Sequence, residues 1–406
     1  MSERVGRRAP LGDPVLAGLA LALSLAGLAM IWSAGQVDVP SVATGIWRRQ
    51  LLWLGIAWAV FFAVRRVPMR WVEWGAPWAY WGSVGLLVAV LLVGTGPGTR
   101  SWIELGPARL QPAEPAKIAT ILMLARVLSD GGEAIDRLSR LWKPAGVVLL
   151  PLALVVLQPD LGSALIFGAI LIAALYWSGV PLGTLFMLVS PGVSLLLGFS
   201  AVAWGIWFLA LVVFLYFRGP WVGEGIAVLG ANVAGGALTL PIWQHLAPYQ
   251  QNRLLVFLEP GVDPRGAGWH LLQSKVAIGS GGWLGKGFGE GPQKRLAFLP
   301  EQHTDFIFSV VGEELGFLGV AVLLGLFGWF LARVLRVARE CQDDFASLLV
   351  FCLFGVWFTH LVVNVGMTVG LMPITGLPLP FLSYGGSFLV TLFGGLGLVA
   401  RAAAER

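Results

Sequence analysis

A carboxylate at the end of a long polar loop has the setting of a general base. Asp305 lies in the sequence EQHTDFIF and is followed at once by Phe306, Ile307 and Phe308. Such apolar neighbours partly desolvate a carboxyl group, which raises its pKa and makes it a better base near neutral pH. Alternatively, Thr304 or Asp305 would serve as the N-cap of the helix that follows. The sequence leaves both roles open.

Two shorter motifs add charged residues that could share a site with such a base. In RLQPAEPAKIA, Glu114 and Lys117 are three residues apart and therefore lie on one face of a helix, with Arg109 just before them. The Glu–Lys pair is either a simple intrahelical ion pair or part of a polar site. In LQPDLGS, Asp160 is either a helix N-cap or a second acidic group in the same cavity.

Other polar side chains lie in or beside apolar segments. His303 could share a metal ion with the carboxylate two residues later, but two ligands at this spacing are weak evidence for a metal site. Glu313 and Glu314 lie deeper in an apolar segment, where a carboxylate is costly, so they are predicted either to pair with a cation or to serve a site. His360 and Asn364, four residues apart on one helix face, are predicted to form hydrogen bonds between helices.

The composition places these residues in a membrane protein. The chain has 406 residues, of which 57% are hydrophobic and only 12% are charged, and its mean hydropathy is +0.79. Soluble domains carry about twice that share of charged residues, which excludes a water-soluble enzyme. The 19 Trp residues fit an aromatic belt at the membrane surface. A net charge of +5 would suggest nucleic acid in a soluble protein, but here it marks cytoplasmic loops, and we expect no nucleic-acid partner.

Hydropathy predicts an all-α, polytopic helix bundle of roughly twelve spans, each about 20 residues long. The ambiguous region is 179–217, which is apolar and interrupted only by Pro181, Pro191 and Gly205, so that two short helices or a re-entrant hairpin would both fit. The apolar run after the basic N-terminus is predicted to be a retained first span rather than a signal peptide. The predicted spans are 14–34, 50–66, 75–95, 112–128, 143–158, 160–178, 181–199, 202–217, 223–246, 305–333, 345–370 and 381–402.

Arginine and lysine in the short loops predict the orientation of these spans. With the N-terminus in the cytoplasm, every cytoplasmic loop except the tight one near 179–181 carries positive charge, from Arg4, Arg7 and Arg8 at the start to Arg406 at the end. Both termini are therefore predicted to be cytoplasmic.

In this topology a large loop, residues 247–304, lies outside the cell and is still basic. Its cations would attract an anion, for which a lipid diphosphate is the natural candidate on that side of a bacterial membrane, although a long loop can also cross regardless of charge. Its glycines match neither the Walker nor the GxGxxG spacing, so we expect them to form turns and tight packing. Residues 269–278 are predicted to form an interfacial helix. The cations of the loop are Arg253, Arg265, Lys275, Lys286, Lys294 and Arg295.

A second irregular segment, GLMPITGLPLPFLSYGGS (370–387), precedes the last predicted helix. Irregular backbone at membrane depth survives only where it is buried in protein or lines a cavity. The segment is therefore predicted to pack against the outer cavity.

Five segments together resemble the SEDS family (shape, elongation, division and sporulation; RodA, FtsW and SpoVE) of peptidoglycan glycosyltransferases. They follow the family's order along the chain, and AIGSGGWLGKG and PEQHTDFIF are closer to the elongation branch than to the division branch. Because the family usually has ten spans, residues 181–218 are interpreted as an inserted helix pair within a single domain, residues 1–406. The matching segments are ARLQPAEPAKIA (108–119), LQPDLGSAL (157–165), LEPGVDPRGAGWHLLQSKVAIGSGGWLGKG (258–287), FLPEQHTDFIFSVVGEELGFLG (298–319) and GLMPITGLPLPFLSYGGS (370–387).

The resemblance implies a function and a set of site residues. It implies polymerisation of lipid II into glycan strands for cell elongation, on the outer face of the bacterial cytoplasmic membrane. A class B penicillin-binding protein, which is a transpeptidase, is the implied partner. Asp305 corresponds to the family's catalytic carboxylate, and Glu114 and Lys117 correspond to its required pair. Arg109 and Asp160 fall in motifs that line the same cavity.

The predicted chemistry is inverting glycosyl transfer from lipid II to the nascent glycan strand. Positive charge must stabilise the departing lipid diphosphate, and Mg²⁺ or Mn²⁺ would also fit this role, although the sequence contains no ligand cluster strong enough to assign a metal. The alternatives are a division-type polymerase, a scaffold for the transpeptidase, or a lipid II flippase, for which no convincing internal repeat is found. The candidate substrate-binding residues are Glu114, Lys117, Arg109, Asp160, Lys275, Arg295 and His303.

Overall fold

The computed structural model of the chain is almost entirely helical. The basic N-terminal residues Arg4, Arg7 and Arg8, and Arg265 of the large loop, lie outside the residues that it describes. The described residues are 13–38, 43–96, 100–106, 108–130, 137–259, 261, 263, 266–296 and 298–406.

The described part of the chain forms fifteen α-helices and one short antiparallel hairpin. The hairpin was not predicted from the sequence. The elements are α1 (Pro14–Ala34), α2 (Ile46–Val64), α3 (Met69–Val93), β1 (Ile103–Leu105), β2 (Ala108–Leu110), α4 (Ala113–Ser129), α5 (Trp142–Leu157), α6 (Leu161–Trp177), α7 (Leu182–Leu197), α8 (Ala201–Arg218), α9 (Val222–His245), α10 (Pro248–Leu258), α11 (Ala267–Gly281), α12 (Pro292–Arg295), α13 (Ile307–Glu340), α14 (Asp344–Val369) and α15 (Gly386–Glu405).

A helix is found at every position where hydropathy predicts a span. Among the described residues, seven helices (α1, α3, α8, α9, α13, α14 and α15) are long and apolar enough to cross a membrane, and α5, α6 and α7 are shorter apolar helices. The chain is therefore a multi-pass membrane protein. Three predicted boundaries are wrong by five residues or more: α3 begins already at Met69, α13 continues to Glu340 through a basic last section, and α15 begins only at Gly386, because the preceding residues remain irregular.

Helices α14 and α15 form the interior of the bundle. Helix α14 packs against α4, α6 and α13, while α15 packs along α2 and α1 packs along α13. In contrast, α8 and α9 leave most of their apolar surface exposed, as expected of helices that face lipid. The segments with the sequence motifs thus surround α14, and α8, the second helix of the predicted insertion, lies at the periphery.

The ambiguous region 179–217 forms two helices, α7 and α8. The Oγ of Ser200 accepts a hydrogen bond from the backbone N–H of Ala203 at 3.3 Å and so caps the start of α8. Helix α8 ends at Gly219, whose φ of 58° lies in the left-handed region that favours glycine. Local capping therefore favours a helix pair at this position.

One buried asparagine joins this pair to α9. The Nδ2 of Asn232 donates to Ser190 Oγ at 2.8 Å, and its Oδ1 accepts from Ser194 Oγ at 2.7 Å. The indole N–H of Trp207, on α8, reaches the same Oδ1 at 3.3 Å. Polar contacts of this kind hold helices together in a membrane. Lipid tails are as apolar as the side chains, so burying apolar side chains between helices provides no hydrophobic driving force there.

The glycine-rich part of the large loop docks on a break in α13. Gly316 interrupts the helix with a φ of 61°. Around the break, the N–H of Lys286 donates to the carbonyl of Glu313 at 2.9 Å, and the N–H of Phe317 donates to the carbonyl of Gly282 at 2.9 Å. A side chain at Gly285 would collide with the carbonyl of Glu314. The prediction that these glycines provide turns and tight packing is therefore confirmed.

A fully buried ion pair fastens the same loop to the first helix. Lys294, on α12, pairs with Glu314, on α13, and neither side chain is exposed. The Nζ of Lys294 also donates to the backbone carbonyl of Ser33 at 2.8 Å, and the hydroxyl of Ser33 donates to Glu314 at 2.7 Å. The neighbouring carboxylate, Glu313, accepts from the N–H of Gln293 at 2.8 Å. Of the two roles considered for the carboxylates, Glu314 has that of an ion pair.

We predict that Lys294→Met destabilises the protein far more than Arg295→Gln. Removing Lys294 leaves a buried carboxylate without its partner, which costs about 3–5 kcal/mol. Arg295 is the adjacent cation, but its ion pairs with Asp38 and Glu290 are exposed, so its loss should leave stability near that of wild type. Denaturant unfolding of the purified protein in detergent measures the difference, and equal stability of the two variants would contradict the role of Lys294.

Candidate active site

Asp305 lies in a turn directly before α13. The N-cap of α13 is Phe306, and no side chain forms a capping hydrogen bond there. The capping role considered for Thr304 and Asp305 is therefore wrong. The Oγ1 of Thr304 instead donates to the carboxylate of Glu301 at 2.9 Å, and the carboxylate of Asp305 is not engaged by the helix end.

The Asp305 carboxylate faces the irregular segment 371–385 and Arg253. A side-chain carbon placed at Gly376 would lie 3.4 Å from Asp305 Oδ2 and 3.9 Å from Arg253 Nη1, so the carboxylate and the guanidinium approach the same glycine. Gly376 has a φ of +75°, a conformation that glycine adopts readily. Arg253, on α10, lies 5.7 Å from the ring centroid of Tyr249. A residue larger than glycine at position 376 would fill the space in front of the carboxylate.

Burial and two charged neighbours set the pKa of Asp305. Burial raises the pKa of Asp305 to about 6, and the negative charge of Glu301 adds to the rise, while the positive charge of Arg253 opposes it. The carboxylate is then mostly ionised at neutral pH and still able to take up a proton. A general base works best when its pKa lies near the working pH, so the predicted effect of its apolar neighbours agrees with the structure.

A cavity of about 780 Å³ opens beside this turn. Ligand cavities in proteins commonly have volumes of about 300–1,000 Å³. Positive, negative and aromatic side chains all line this one, a mixture that suits a ligand with both anionic and sugar-like parts. The lining includes Arg49, Trp53, Trp102, Glu104, Arg109, Glu301, His303, Thr304 and Tyr384.

Arg109 and His303 are the two predicted site residues that line this cavity. Arg109 comes from β2, has 68% of its side chain exposed and pairs with Glu104 of β1 at 3.4 Å. An exposed pair of this kind contributes little stability, so the guanidinium can turn to a ligand anion at small cost. The ring of His303 stacks obliquely on Tyr384 at 5.8 Å, and burial lowers its pKa, an effect that Glu301 opposes. Burial therefore favours the neutral form of His303.

Asp160 has the capping role considered for it and does not line the 780 Å³ cavity. It is the N-cap of α6 and accepts from the N–H of Ser163 at 2.9 Å, which confirms the capping role. Its other oxygen accepts from Gln111 Nε2 at 2.8 Å, so the carboxylate also joins the LQPDLGS motif to the segment before α4. The neighbouring carbonyl of Pro159 accepts from the hydroxyl of Tyr249 at 2.7 Å, which brings Asp160 to the start of α10, about one turn before Arg253.

Glu114 and Lys117 lie apart from the large cavity. They form an ion pair of 2.7 Å on α4, and both side chains are buried. They line a separate cavity of about 30 Å³, together with His360 and Thr391. The structure therefore confirms the ion pair. In the described part of the chain, the pair lines this small cavity and not the 780 Å³ cavity.

The remaining two candidates, Lys275 and Arg295, are surface residues. The Lys275 side chain is exposed on α11 and lies against Gly370, at the end of α14. Arg295 hydrogen-bonds to Asp38 and Glu290, and the contact with Asp38 raises the pKa of Arg295. Neither belongs to the lining of the 780 Å³ cavity. The predicted interfacial helix is α11, but it also packs against α13 and α14, where Ser274 Oγ donates to the carbonyl of Thr368 at 2.7 Å.

Sequence reasoning did not single out several residues that contribute to this region. Arg253 was only one of many loop cations, and Arg49 begins a span far away in the sequence. Glu301 and Tyr384 do fall in the family-like segments PEQHTDFIF and PFLSYGGS, which is the signal that could have identified them. Within the described ranges, no three His, Cys, Asp or Glu side chains converge on a point where they could hold a metal ion, so no ligand set for Mg²⁺ or Mn²⁺ is assigned.

Comparisons with known proteins agree with the fold and the motifs. A family model of FtsW, RodA and SpoVE, described as cell cycle proteins, matches residues 14–406. The chain is 35% identical to the peptidoglycan glycosyltransferase MrdB of Escherichia coli K12, over 95% of this chain and 92% of that protein. It is also 35% identical to the probable peptidoglycan glycosyltransferase FtsW of Trichlorobacter lovleyi, over 94% and 90% of the two chains. A solved structure of a peptidoglycan synthase complex that coordinates polymerization and crosslinking is similar, with a TM-score of 0.73, 32% identity, and coverage of 97% of this chain and 98% of that one.

We predict that the pKa of Asp305 responds in opposite directions to its two charged neighbours. Arg253→Gln removes a positive charge and should raise the pKa above about 6, whereas Glu301→Gln removes a negative charge and should lower it. Arg253→Lys should leave it close to the wild-type value, because the charge is kept. Carbon-13 NMR of labelled aspartate side chains in nanodiscs measures the titration, with Asp305→Asn identifying the signal. A pKa near 4 in every variant would contradict the described environment.

Proposed function

The chain belongs to the FtsW, RodA and SpoVE family of cell cycle proteins, and from this membership we propose the reaction that it catalyses. It is a peptidoglycan glycosyltransferase, an enzyme that joins lipid-linked sugar units into glycan strands. Its donor is lipid II, a disaccharide-peptide carried on undecaprenyl diphosphate, and its acceptor is a second lipid II or the growing strand.

Asp305 is the general base of the proposed reaction. It removes the proton from the acceptor hydroxyl as that oxygen attacks the anomeric carbon of the donor. A bond forms between this oxygen and the anomeric carbon, and the bond from the carbon to the lipid diphosphate breaks. Attack from the face opposite the leaving group inverts the anomeric configuration. The diphosphate leaves with the bonding electron pair, and the proton on Asp305 passes to water before the next cycle.

Cations around the turn supply the charge that this reaction needs. Negative charge develops on the departing diphosphate, and fixed positive groups in a poorly solvated site stabilise it strongly. The supporting geometry is that Arg49 and Arg109 line the 780 Å³ cavity beside Asp305. Arg253 has a different part, because it keeps the base ionised from a position next to Gly376.

The single observation that carries the assignment is the setting of Asp305. A half-buried carboxylate with a pKa of about 6 lies at the entry to α13, one residue from the lining of the large cavity. A carboxylate in water would have too low a pKa to accept a proton efficiently at pH 7. The names of the curated relatives also favour glycosyl transfer over transport of lipid II.

The cellular setting follows from the same proposal. The protein lies in the bacterial cytoplasmic membrane with both termini in the cytoplasm, and its active site faces outward, where the lipid-linked substrate is consumed. A class B penicillin-binding protein crosslinks the strands that it makes. Its motifs favour a role in elongation, while the similarity to an FtsW protein keeps a role in division as the second candidate.

We predict that Asp305→Asn abolishes polymerisation while leaving the protein folded. The amide is nearly isosteric with the carboxylate but cannot accept the proton, so the rate should fall by about 10²–10⁴-fold. The measurement is the formation of glycan strands from lipid II by the purified protein with its transpeptidase partner. Glu290→Gln is the matched control, because Glu290 is an exposed loop carboxylate that pairs with Arg295, and it should polymerise at the wild-type rate.

Three further observations decide the experiment. The rate of the wild-type enzyme should fall as the pH is lowered through about 6, because Asp305 becomes protonated. Wild-type rates from a folded Asp305→Asn variant would overturn its role as the base. A wild-type protein that moves lipid II across vesicle membranes but forms no strands, even with an active partner, would overturn the proposed function.

A further inference from the structure

The irregular segment before α15 obtains many of its hydrogen bonds from side chains. Residues 371–385 are not helical, although they lie against helices in the interior of the bundle. A backbone carbonyl without a partner is costly in such a place. Ser383 closes one end of the segment, because its hydroxyl accepts from the N–H of Leu379 at 2.8 Å and donates to the carbonyl of Thr304 at 2.7 Å.

Asn364 joins this segment to the backbone of Asp305. Its Nδ2 donates both to the carbonyl of Asp305 at 2.9 Å and to the carbonyl of Leu377 at 2.8 Å. Asn364 is fully buried on α14. Leu377 directly follows Gly376, the residue that the Asp305 carboxylate faces. One amide group therefore fixes the carboxylate and the wall opposite to it.

His360, one helical turn earlier on the same face of α14, holds the next carbonyl. Its Nδ1 lies 3.0 Å from the carbonyl of Pro378. A carbonyl can only accept, so Nδ1 carries the hydrogen and Nε2 is an acceptor. Among the described residues Nε2 has no hydrogen-bond partner, and the side chain is fully buried.

The cavity beside His360 leads to the buried ion pair of α4. Its volume is about 30 Å³; Glu114, Lys117, His360 and Thr391 form the polar part of its lining, and the rest of the lining is apolar. The space is large enough for one water molecule, and a water there would accept from the ammonium of Lys117 and donate to His360 Nε2. Through such a water, the ion pair and the carbonyl of Pro378 would be the two ends of one hydrogen-bonded chain.

We propose that Asn364 and His360 are positioning residues that hold Asp305 against the segment 371–385, and that Glu114 and Lys117 act on the reaction through His360. The inference rests on the proposed function, because it takes Asp305 to be the base. It gives the deeply placed ion pair an effect on the reaction without contact with substrate. Lys117 determines the hydrogen bonding of His360. His360 and Asn364 hold the carbonyls of Pro378 and Leu377 in place. The positions of these two carbonyls define the space in front of the base.

The first test compares Asn364→Leu with Thr359→Val. Both substitutions conserve side-chain shape on α14, but Thr359 Oγ1 bonds only within the helix, to the carbonyl of Gly355 at 2.7 Å. A misplacement of a catalytic group by about 1 Å can cost about 10²-fold in rate. We therefore expect Asn364→Leu to lower kcat by about 10²-fold, with KM within a factor of about two, and to shift the low-pH limb of the rate profile. Thr359→Val should keep wild-type kinetics.

The second test follows the chain from α4. His360→Leu and Lys117→Met should both lower kcat, and the double variant should be no slower than the slower single variant, because both changes break one chain. His360→Gln keeps an N–H for the carbonyl of Pro378 and should recover part of the rate. Strictly multiplicative losses in the double variant, with no recovery by glutamine, would overturn the coupling between α4 and the segment.

Hydrogen–deuterium exchange separates this inference from the proposed function, because it needs no enzymatic activity. The backbone amides of residues 377–385 should exchange faster in Asn364→Leu than in wild type or in Thr359→Val. Unchanged exchange, or a wild-type kcat and pH profile from Asn364→Leu in an active preparation, would overturn the positioning role. A wild-type protein that polymerises nothing would instead overturn the proposed function, and the exchange result would still stand.

Discussion

The structure depends on satisfying irregular backbone inside a membrane-embedded bundle. Lipid offers no hydrogen bonds to an exposed carbonyl or N–H, yet this chain keeps two irregular stretches beside its central helices. The stretch at 282–287 meets the break in α13 at Gly316 and shares backbone hydrogen bonds with it. The backbone of the stretch at 371–385 instead forms hydrogen bonds with side chains, above all those of Asn364 and Ser383. The cost of leaving these groups unpaired keeps both stretches in place.

The two buried ion pairs serve this arrangement in different ways. Lys294 and Glu314 fasten the large loop to α1 and α13, so removing either charge should loosen the packing of the whole loop. Glu114 and Lys117 are neighbours on one helix and fasten no distant element by themselves. A buried ion pair is weak evidence for stability, and a pair within one helix turn is easily replaced by apolar residues. The pair lines the same small cavity as His360. In the proposed coupling, its charge acts on the hydrogen bonding of His360.

Sequence reasoning located the helices and the central carboxylate but not the partners of that carboxylate. Each predicted span coincides with a helix because desolvation of the backbone makes long apolar runs helical wherever they cross lipid. Asp160 could be recognised as a cap because capping is local, within three residues. Arg253 and Gly376 flank Asp305 from segments about 50 and 70 residues away along the chain, a tertiary relation that no local pattern encodes. For the same reason, the partner of Glu314 could not be named from the sequence, and the start of α15 was placed too early.

A structure of the protein bound to a stable lipid-linked disaccharide diphosphate and an acceptor sugar is the most direct test of the role of Asp305. We predict that the diphosphate lies against Arg49 and Arg109 in the 780 Å³ cavity. The reacting hydroxyl of the acceptor should lie within about 3 Å of the Asp305 carboxylate, close enough to hand over its proton. An ordered ligand pair whose hydroxyls all lie beyond direct or water-bridged reach of Asp305 would contradict the central claim that this carboxylate is the base.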